Sequence, residues 1–313
     1  WKSQKIMPIT EEQRKLRKYG IGSSDAACIM GADPWKSEYE LWMYKTGRAE
    51  QPEAGQAAEI GNHLESYVLG LVESELGLPV IENNGDVGQT FESGPLRANC
   101  DGIVGTAWEK GLPIVEIKTT GRTDEWGVPG TDEIPFRVLC QVVHQMLCAD
   151  TTICYIGCLK AERGFKFDMY KVDLDNHEDF ATALWEKCNS WWKTHVDNDV
   201  PPSVERAISD DVWSGVKRAE GKSTVVSADV VQQYIDARDK KKNAEEELQH
   251  AKSILLASME DAEVGTCAGF SVKYPLISRS SVDTKSLFVD HPKLKQEYAK
   301  VSSYRRLDVR KKS

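Results

Sequence analysis

Two short stretches carry the residues best suited to chemistry. Asp101 lies near the end of one apolar run, Leu96–Val104, and Glu116-Ile117-Lys118 lies inside a second, Leu112–Thr119. Side chains alternate along a strand, so Glu116 and Lys118 share one sheet face and Ile117 takes the other. If the two runs pair, Asp101 and Glu116 converge on one edge. Two close carboxylates repel unless a cation or proton sits between them. Oxygen donors without a nearby His or Cys favour Mg²⁺ or Mn²⁺ over zinc. A lysine beside such a pair orients an attacking water or steadies charge developing on a phosphate. The chemistry indicated is metal-dependent phosphodiester hydrolysis. The acid-x-Lys triplet is weak by itself, since it recurs at Glu220/Lys222, Asp239/Lys241 and Asp283/Lys285. A cross-strand salt bridge on a solvated face is the bland alternative. The flank of Ile114, Val115 and Ile117 counts against it, because a charge within a buried strand needs a reason.

The elements that must position these residues follow from periodicity. Residues 8–50 read as helical with a loop. Gly20-Ile21-Gly22-Ser23-Ser24-Asp25 forms a turn and helix start, with Ser24 or Asp25 as the cap. Residues 56–77 form a helix with Ile60, Leu64, Val68 and Leu71 on its apolar face. Phe136–Ala149 is a second helix. Val138, Leu139, Val142, Val143, Met146 and Leu147 form its apolar side, and Arg137, Gln141, His144, Gln145 and Cys148 lie opposite. Thr152–Lys160 and Phe165–Leu174 form a hairpin, and a helix follows over 177–197. The order gives an α/β fold with a central mixed sheet flanked by helices. Pro201-Pro202 closes this region, so the expected domains are 1–202 and 203–313. The second holds a long polar helix, 228–263, capped by Ser227, then a strand over Gly269–Leu276 and a basic end.

Composition narrows the class. The chain of 313 residues is 40% hydrophobic and 28% charged, which is globular and excludes collagen-like, disordered or coiled-coil-only readings. No apolar run reaches the ~18 residues of a membrane span. No basic-then-apolar leader opens the sequence, and the eight Cys contain no C-x-x-C pair. Reduced, mostly buried thiols in a cytoplasmic protein are therefore expected. The net charge of −9 argues mildly against a nucleic-acid binder, but residues 271–313 hold 11 Lys and Arg against 4 Asp and Glu. Such asymmetry suits a basic tail that meets a polyanion or folds back on an acidic body.

Ordered blocks resemble a known family. They are Leu16-Arg17-Lys18-Tyr19-Gly20-Ile21-Gly22-Ser23-Ser24-Asp25-Ala26-Ala27, Pro34-Trp35-Lys36 with Glu40-Leu41-Trp42 and Lys45-Thr46-Gly47, and Gly61-Asn62-His63-Leu64-Glu65. Asp101-Gly102, Glu116-Ile117-Lys118-Thr119 and Gln141-Val142-Val143-His144-Gln145-Met146 follow, then Asp283-Thr284-Lys285 and Ser302-Ser303-Tyr304-Arg305-Arg306. Together they resemble the YqaJ-type viral recombinases, the phage lambda exonuclease-like group of the PD-(D/E)XK nucleases. The resemblance implies a restriction-endonuclease-like core with a C-terminal long helix and a small basic segment. It implies two Mg²⁺ ions, with Mn²⁺ able to substitute. Their ligands would be Glu65, Asp101, Glu116 and the Ile117 carbonyl, with Lys118 at the nucleophilic water and Gln141 facing the site. His144 and Gln145 share the Gln141 face without a catalytic assignment. Arg17 and Ser24, with Arg122 as a weaker candidate, would take the 5′-phosphate of a DNA end. Two positions depart from the pattern: Cys100 replaces the proline before the Asp, and Ser23 replaces a common glycine.

The activity implied is a Mg²⁺-dependent 5′→3′ exonuclease on double-stranded DNA ends that leaves 3′ single-stranded tails for recombination. The partner implied is a single-strand annealing protein, with a homotrimer possible within the family and no membrane association. The rivals are an endonuclease of the same superfamily that cuts branched or internal DNA, and a non-catalytic DNA-end-binding protein that works through helix 228–263 and the basic tail.

Overall fold

The structure, a computed structural model, describes residues 17–52, 55–83, 85, 89–161, 164–299 and 306–310, with the Arg17 side chain outside that description. The chain divides into two compact units, Trp1–Lys217 and Arg218–Ser313. In the first, strand β1 (Ile21–Gly22) leads into helix α1 (Ser23–Ile29), and α2 (Glu38–Lys45) and α3 (Gln56–Leu76) follow. Strands β2 (Val80–Glu82), β3 (Phe91–Ser93), β4 (Leu96–Ala98), β5 (Gly102–Val104) and β6 (Ile114–Thr120) come next. Then come α4 (Phe136–Ala149), the hairpin β7 (Ile153–Ala161) and β8 (Phe165–Asp173), α5 (Glu178–Trp191) and α6 (Asp210–Gly215).

The central sheet has the order β2-β5-β6-β7-β8. It is mixed: β6 and β7 are parallel, and the other neighbours are antiparallel. One face of β6, Val115 and Ile117, packs on Val68, Leu69 and Val72 of α3. Ile114 of β6 and Ile156 and Cys158 of β7 join Val142, Val143 and Met146 of α4 in the main core. The sheet is thus covered on both faces, as the mixed α/β reading expects. Gly157 on β7 is what lets α3 come so close. A Cβ there would stand 2.7 Å from Val72 Cγ2 and 2.9 Å from Ile117 Cδ1.

Three expectations about elements change. The run Leu96–Val104 is two strands in two sheets, since β4 pairs with β1 and β3 while β5 belongs to the central sheet. The chain bends between them because Asp101 makes side-chain and backbone bonds that a continuous strand would not. On α3 the buried residues are Val68, Leu69 and Val72, whereas Ile60 is exposed, because only the C-terminal half of that helix reaches the sheet. On α4 the polar side is not solvated: His144, Gln145 and Cys148 are fully buried along with the apolar face.

Helix α1 is not capped by Ser24 or by Asp25 in the N-cap position. Gly22 is the N-cap, and Asp25 Oδ2 reaches back to accept from its N–H at 3.0 Å. The segment after Pro202 contributes Val212, Trp213 and Val216 to the edge of the core, and Lys217 N donates to Arg48 O at 2.9 Å. Cys28, Cys100, Cys140, Cys148, Cys154, Cys158 and Cys188 are free and buried.

The second unit holds helix α7 (Ala228–Ala257), the antiparallel pair β9 (Val264–Cys267) and β10 (Phe270–Lys273), and short helices α8 (Thr284–Asp290) and α9 (Pro292–Tyr298). α7 ends six residues before the expected 263 and buries none of its residues. Ser227 is its N-cap residue but makes no side-chain cap hydrogen bond. Among the described residues no helix is long and apolar enough to cross a membrane.

Candidate active site

The bend at Asp101 builds the site. Gly102 pairs with Val115, and from there β5 leaves β6, so the next N–H along β6 in need of a partner is that of Ile117. Asp101 Oδ2 supplies it, accepting from Ile117 N at 2.7 Å, while Asp101 N donates to Val115 O at 3.1 Å. The carboxylate thus replaces a missing ladder bond, which fixes it beside Glu116. On the adjoining stretch, Asn83 Nδ2 donates to Cys100 O at 2.9 Å and holds the bend.

Glu116 is buried, and both its oxygens are engaged. Oε1 accepts from Lys118 Nζ in a short ion pair and from Gln141 Nε2 at 2.5 Å. Oε2 accepts from Gln145 Nε2 at 2.7 Å. Gln141 and Gln145 are four apart on α4, so one helix face presents both amides to the same carboxylate. Gln145, which the sequence places on the Gln141 face without a role, is thus a direct partner of Glu116.

The electrostatics show that these groups share one field. Burial, then Glu116 and Glu82, push the Glu65 carboxyl up to about 7, against the pull of Lys118. Burial, then Glu116 and Glu65, push Asp101 well above the usual carboxylate range, although Lys118 and the Ile117 N–H oppose this. Burial works against the Lys118 charge, but Glu116 and Asp101 outweigh it and raise its proton affinity. Carboxylates from α3, the bend and β6 therefore share the field of one ammonium, and Glu82 of β2 adds its charge at Glu65.

This donor set fits a hard divalent cation in kind: it is all oxygen, partly desolvated and in negative excess. It is not pre-arranged for one. Among the described residues no group of three His, Cys, Asp or Glu side chains stands where it could hold a metal ion. Glu116 Oε1 turns to Lys118, Asp101 Oδ2 turns to Ile117 N, and Ile117 meets Asp101 through its N–H.

The expected phosphate residues are placed less tightly. Ser24 is exposed at the second position of α1. Arg122 is exposed two residues beyond β6, with its guanidinium on Trp35 and Glu125. The expected role of Arg17 falls on a side chain outside the described residues. Beneath the Ser24 turn lies a feature no spacing rule indicates. Buried Asp25 takes Lys36 Nζ at 2.8 Å and Lys45 Nζ at 2.6 Å. Burial opposes its ionisation, but Lys45 and Lys36 outweigh that and hold the carboxyl far below its ordinary range. His144 is structural in this setting: its Nε2–H donates to Ile21 O at 3.0 Å. Burial drives its pKa down to about 4, despite the opposing Asp25 charge.

With this geometry in hand, comparison with known proteins is informative. The family model of the YqaJ-like viral recombinase domain matches residues 13–152. That stretch of the chain is similar to the YqaJ-like viral recombinase domain. Those residues contain Ser24, Asp25, Glu65, Asp101, Glu116, Lys118, Gln141 and Gln145, so the whole carboxylate group lies inside the matched stretch. Over 308 residues the chain is 25% identical to the uncharacterized protein YqaJ of Bacillus subtilis (strain 168), covering 95% of this chain and 93% of that one. Among solved structures, the alkaline exonuclease LHK-Exo from Laribacter hongkongensis aligns with a TM-score of 0.42 and 17% identity, covering 61% of this chain and all of that one. A phage-related exonuclease from Haemophilus somnus 129PT aligns with a TM-score of 0.43 and 14% identity, over 60% of this chain and 99% of that one.

Proposed function

We propose that this protein is a Mg²⁺-dependent 5′→3′ exonuclease acting on double-stranded DNA ends, leaving 3′ single-stranded tails for phage-type recombination. One observation carries the reading. Inside a viral-recombinase domain, Asp101, Glu116 and Glu65 share one field around the Lys118 ammonium, with Glu116 held by two helix amides. A protein that only bound DNA would gain nothing from such a costly concentration of partly buried negative charge.

Glu65, Asp101, Glu116 and the Ile117 carbonyl would hold the ions, two in number, with Mn²⁺ able to replace Mg²⁺. Such ions supply an acidified water and stabilise the leaving oxygen. The protein does the rest. Gln141 and Gln145 fix the rotamer of Glu116, and the Ile117 N–H fixes that of Asp101. Lys118, as an ammonium, donates hydrogen bonds to the attacking water and to the phosphate oxygens where charge grows. Arg17 and Ser24 anchor the 5′-phosphate, with Arg122 nearby in sequence on the strand exit. The recombination partner in this reading is a single-strand annealing protein, and closure into a homotrimer is the assembly that would retain the duplex.

The test is digestion of end-labelled linear duplex with Mg²⁺ or Mn²⁺, with and without a 5′-phosphate, beside a covalently closed circle. The reading expects loss of the 5′-phosphorylated linear strand from its 5′ end and an intact circle. Asp101→Ala should abolish cleavage while binding persists, and Lys118→Met should lower kcat by about 10²–10³. Cutting of the circle would favour an endonuclease, and an intact linear duplex under both metals would overturn the enzyme reading.

A further inference from the structure

One aromatic residue flanked by two of this region's arginines stays exposed. Trp35, between α1 and α2, is 61% exposed. Its backbone is fixed: Asp33 Oδ1 accepts from Trp35 N at 2.7 Å and from Lys36 N at 3.1 Å. The next side chain, Lys36, is anchored on buried Asp25. Two guanidiniums approach the indole, Arg122 at 5.2 Å and Arg137 at 5.5 Å from the ring centroid. Both are oriented by Glu125, which pairs with Arg137 at 2.5 Å and Arg122 at 3.6 Å. One acid between two guanidiniums leaves a net positive charge beside an indole that stays largely exposed.

The placement ties this cluster to the carboxylates. Arg122 follows β6, the strand of Glu116 and Lys118. Arg137 lies on α4, four residues before Gln141 and eight before Gln145. At ~1.5 Å per residue these offsets are about 6 and 12 Å along the helix. With a rise of ~3.4 Å per nucleotide, the cluster sits about two to four nucleotides from the Glu116 amides.

We propose that Trp35, flanked by Arg122 and Arg137, is a stacking platform for an unpaired base of the DNA strand that enters the Glu116 site. The guanidiniums take the phosphates on either side of that base. An indole face accepts any base, and guanidiniums add backbone attraction and stacking of their own, which is the chemistry of sequence-tolerant single-strand binding. The proposal deepens the nuclease reading and rests on it for the identity of the strand. Its role is to hold a frayed end, so its signature falls on KM rather than kcat.

The experiment measures anisotropy of a fluorescein-labelled ten-nucleotide oligo-dT with the full chain, without divalent ions, alongside digestion of linear duplex with Mg²⁺. Trp35→Ala is expected to weaken oligo-dT binding about 5- to 100-fold and to raise KM with kcat kept, and Trp35→Phe to recover most of the loss. The ring is exposed, so the urea midpoint should not move. If Trp35→Ala binds oligo-dT as the parent does while the parent digests duplex, the platform is overturned and the nuclease reading stands. If the parent binds oligo-dT through Trp35 but leaves duplex intact, the platform stands and the nuclease reading falls. If the parent neither binds oligo-dT nor cuts duplex, both fall.

Discussion

Removing Asp25 is the sharpest test of the packing that supports the Ser24 turn. Its side chain is 10% exposed, and its partners Lys36 and Lys45 are 17% and 6% exposed. Asp25→Ala would leave two ammonium groups facing each other with little water, and would also remove the acceptor for Gly22 N. Breaking a buried pair from one side costs about 3–5 kcal/mol, and one carboxylate serving two lysines belongs at the upper end. Against a typical total of about 5–15 kcal/mol this is a large loss. Asp25→Asn keeps an acceptor for Gly22 N and should recover about 1 kcal/mol. Asp25→Ala with Lys45→Met removes the more buried of the two charges and should also recover about 1–2 kcal/mol, less what the lost Lys45 bond to Gly20 O costs.

The assay is urea unfolding followed by tryptophan fluorescence, because all nine Trp lie within residues 1–217 and report on the first unit alone. The carboxyl is held below its unfolded value, so its stabilisation is present above about pH 4 and is lost as pH falls further. The gap between parent and Asp25→Asn should therefore be constant from pH 5 to 8 and shrink below pH 4. A loss for Asp25→Ala under about 1 kcal/mol at pH 7, or a gap that widens in acid, would refute the reasoning.

Three further outcomes follow from the structure. Gln145→Met removes the donor to Glu116 Oε2 at similar volume, and nuclease activity should fall about 10–100-fold with little change in melting temperature. Gly157→Ala sets a methyl against Val72 and Ile117, so it should cost about 1–3 kcal/mol in urea and lower activity by shifting α3, which carries Glu65. His144 binds a proton near pH 6.5 when unfolded but only near pH 4 when folded, so stability should fall by about 3 kcal/mol between those values. His144→Gln should remove that slope, as measured by urea titrations at pH 4 to 7.

What local pattern encodes was legible in the residues. Period-two alternation places Glu116 and Lys118 on one face of β6 and Ile117 on the other, and they lie there. Helical period places Phe136–Ala149 with both end residues as observed, and puts Gln141 and Gln145 in line. Tertiary structure alone decided the rest. The break of Leu96–Val104 into two sheets depends on β6 offering an unpaired Ile117 N–H to Asp101, sixteen positions away. The burial of His144 depends on a carbonyl 123 positions earlier. The Trp35 cluster gathers side chains from a loop, the exit of β6 and the first turn of α4. Such contacts repeat with no period, because they are made by the meeting of elements that only the folded chain brings together.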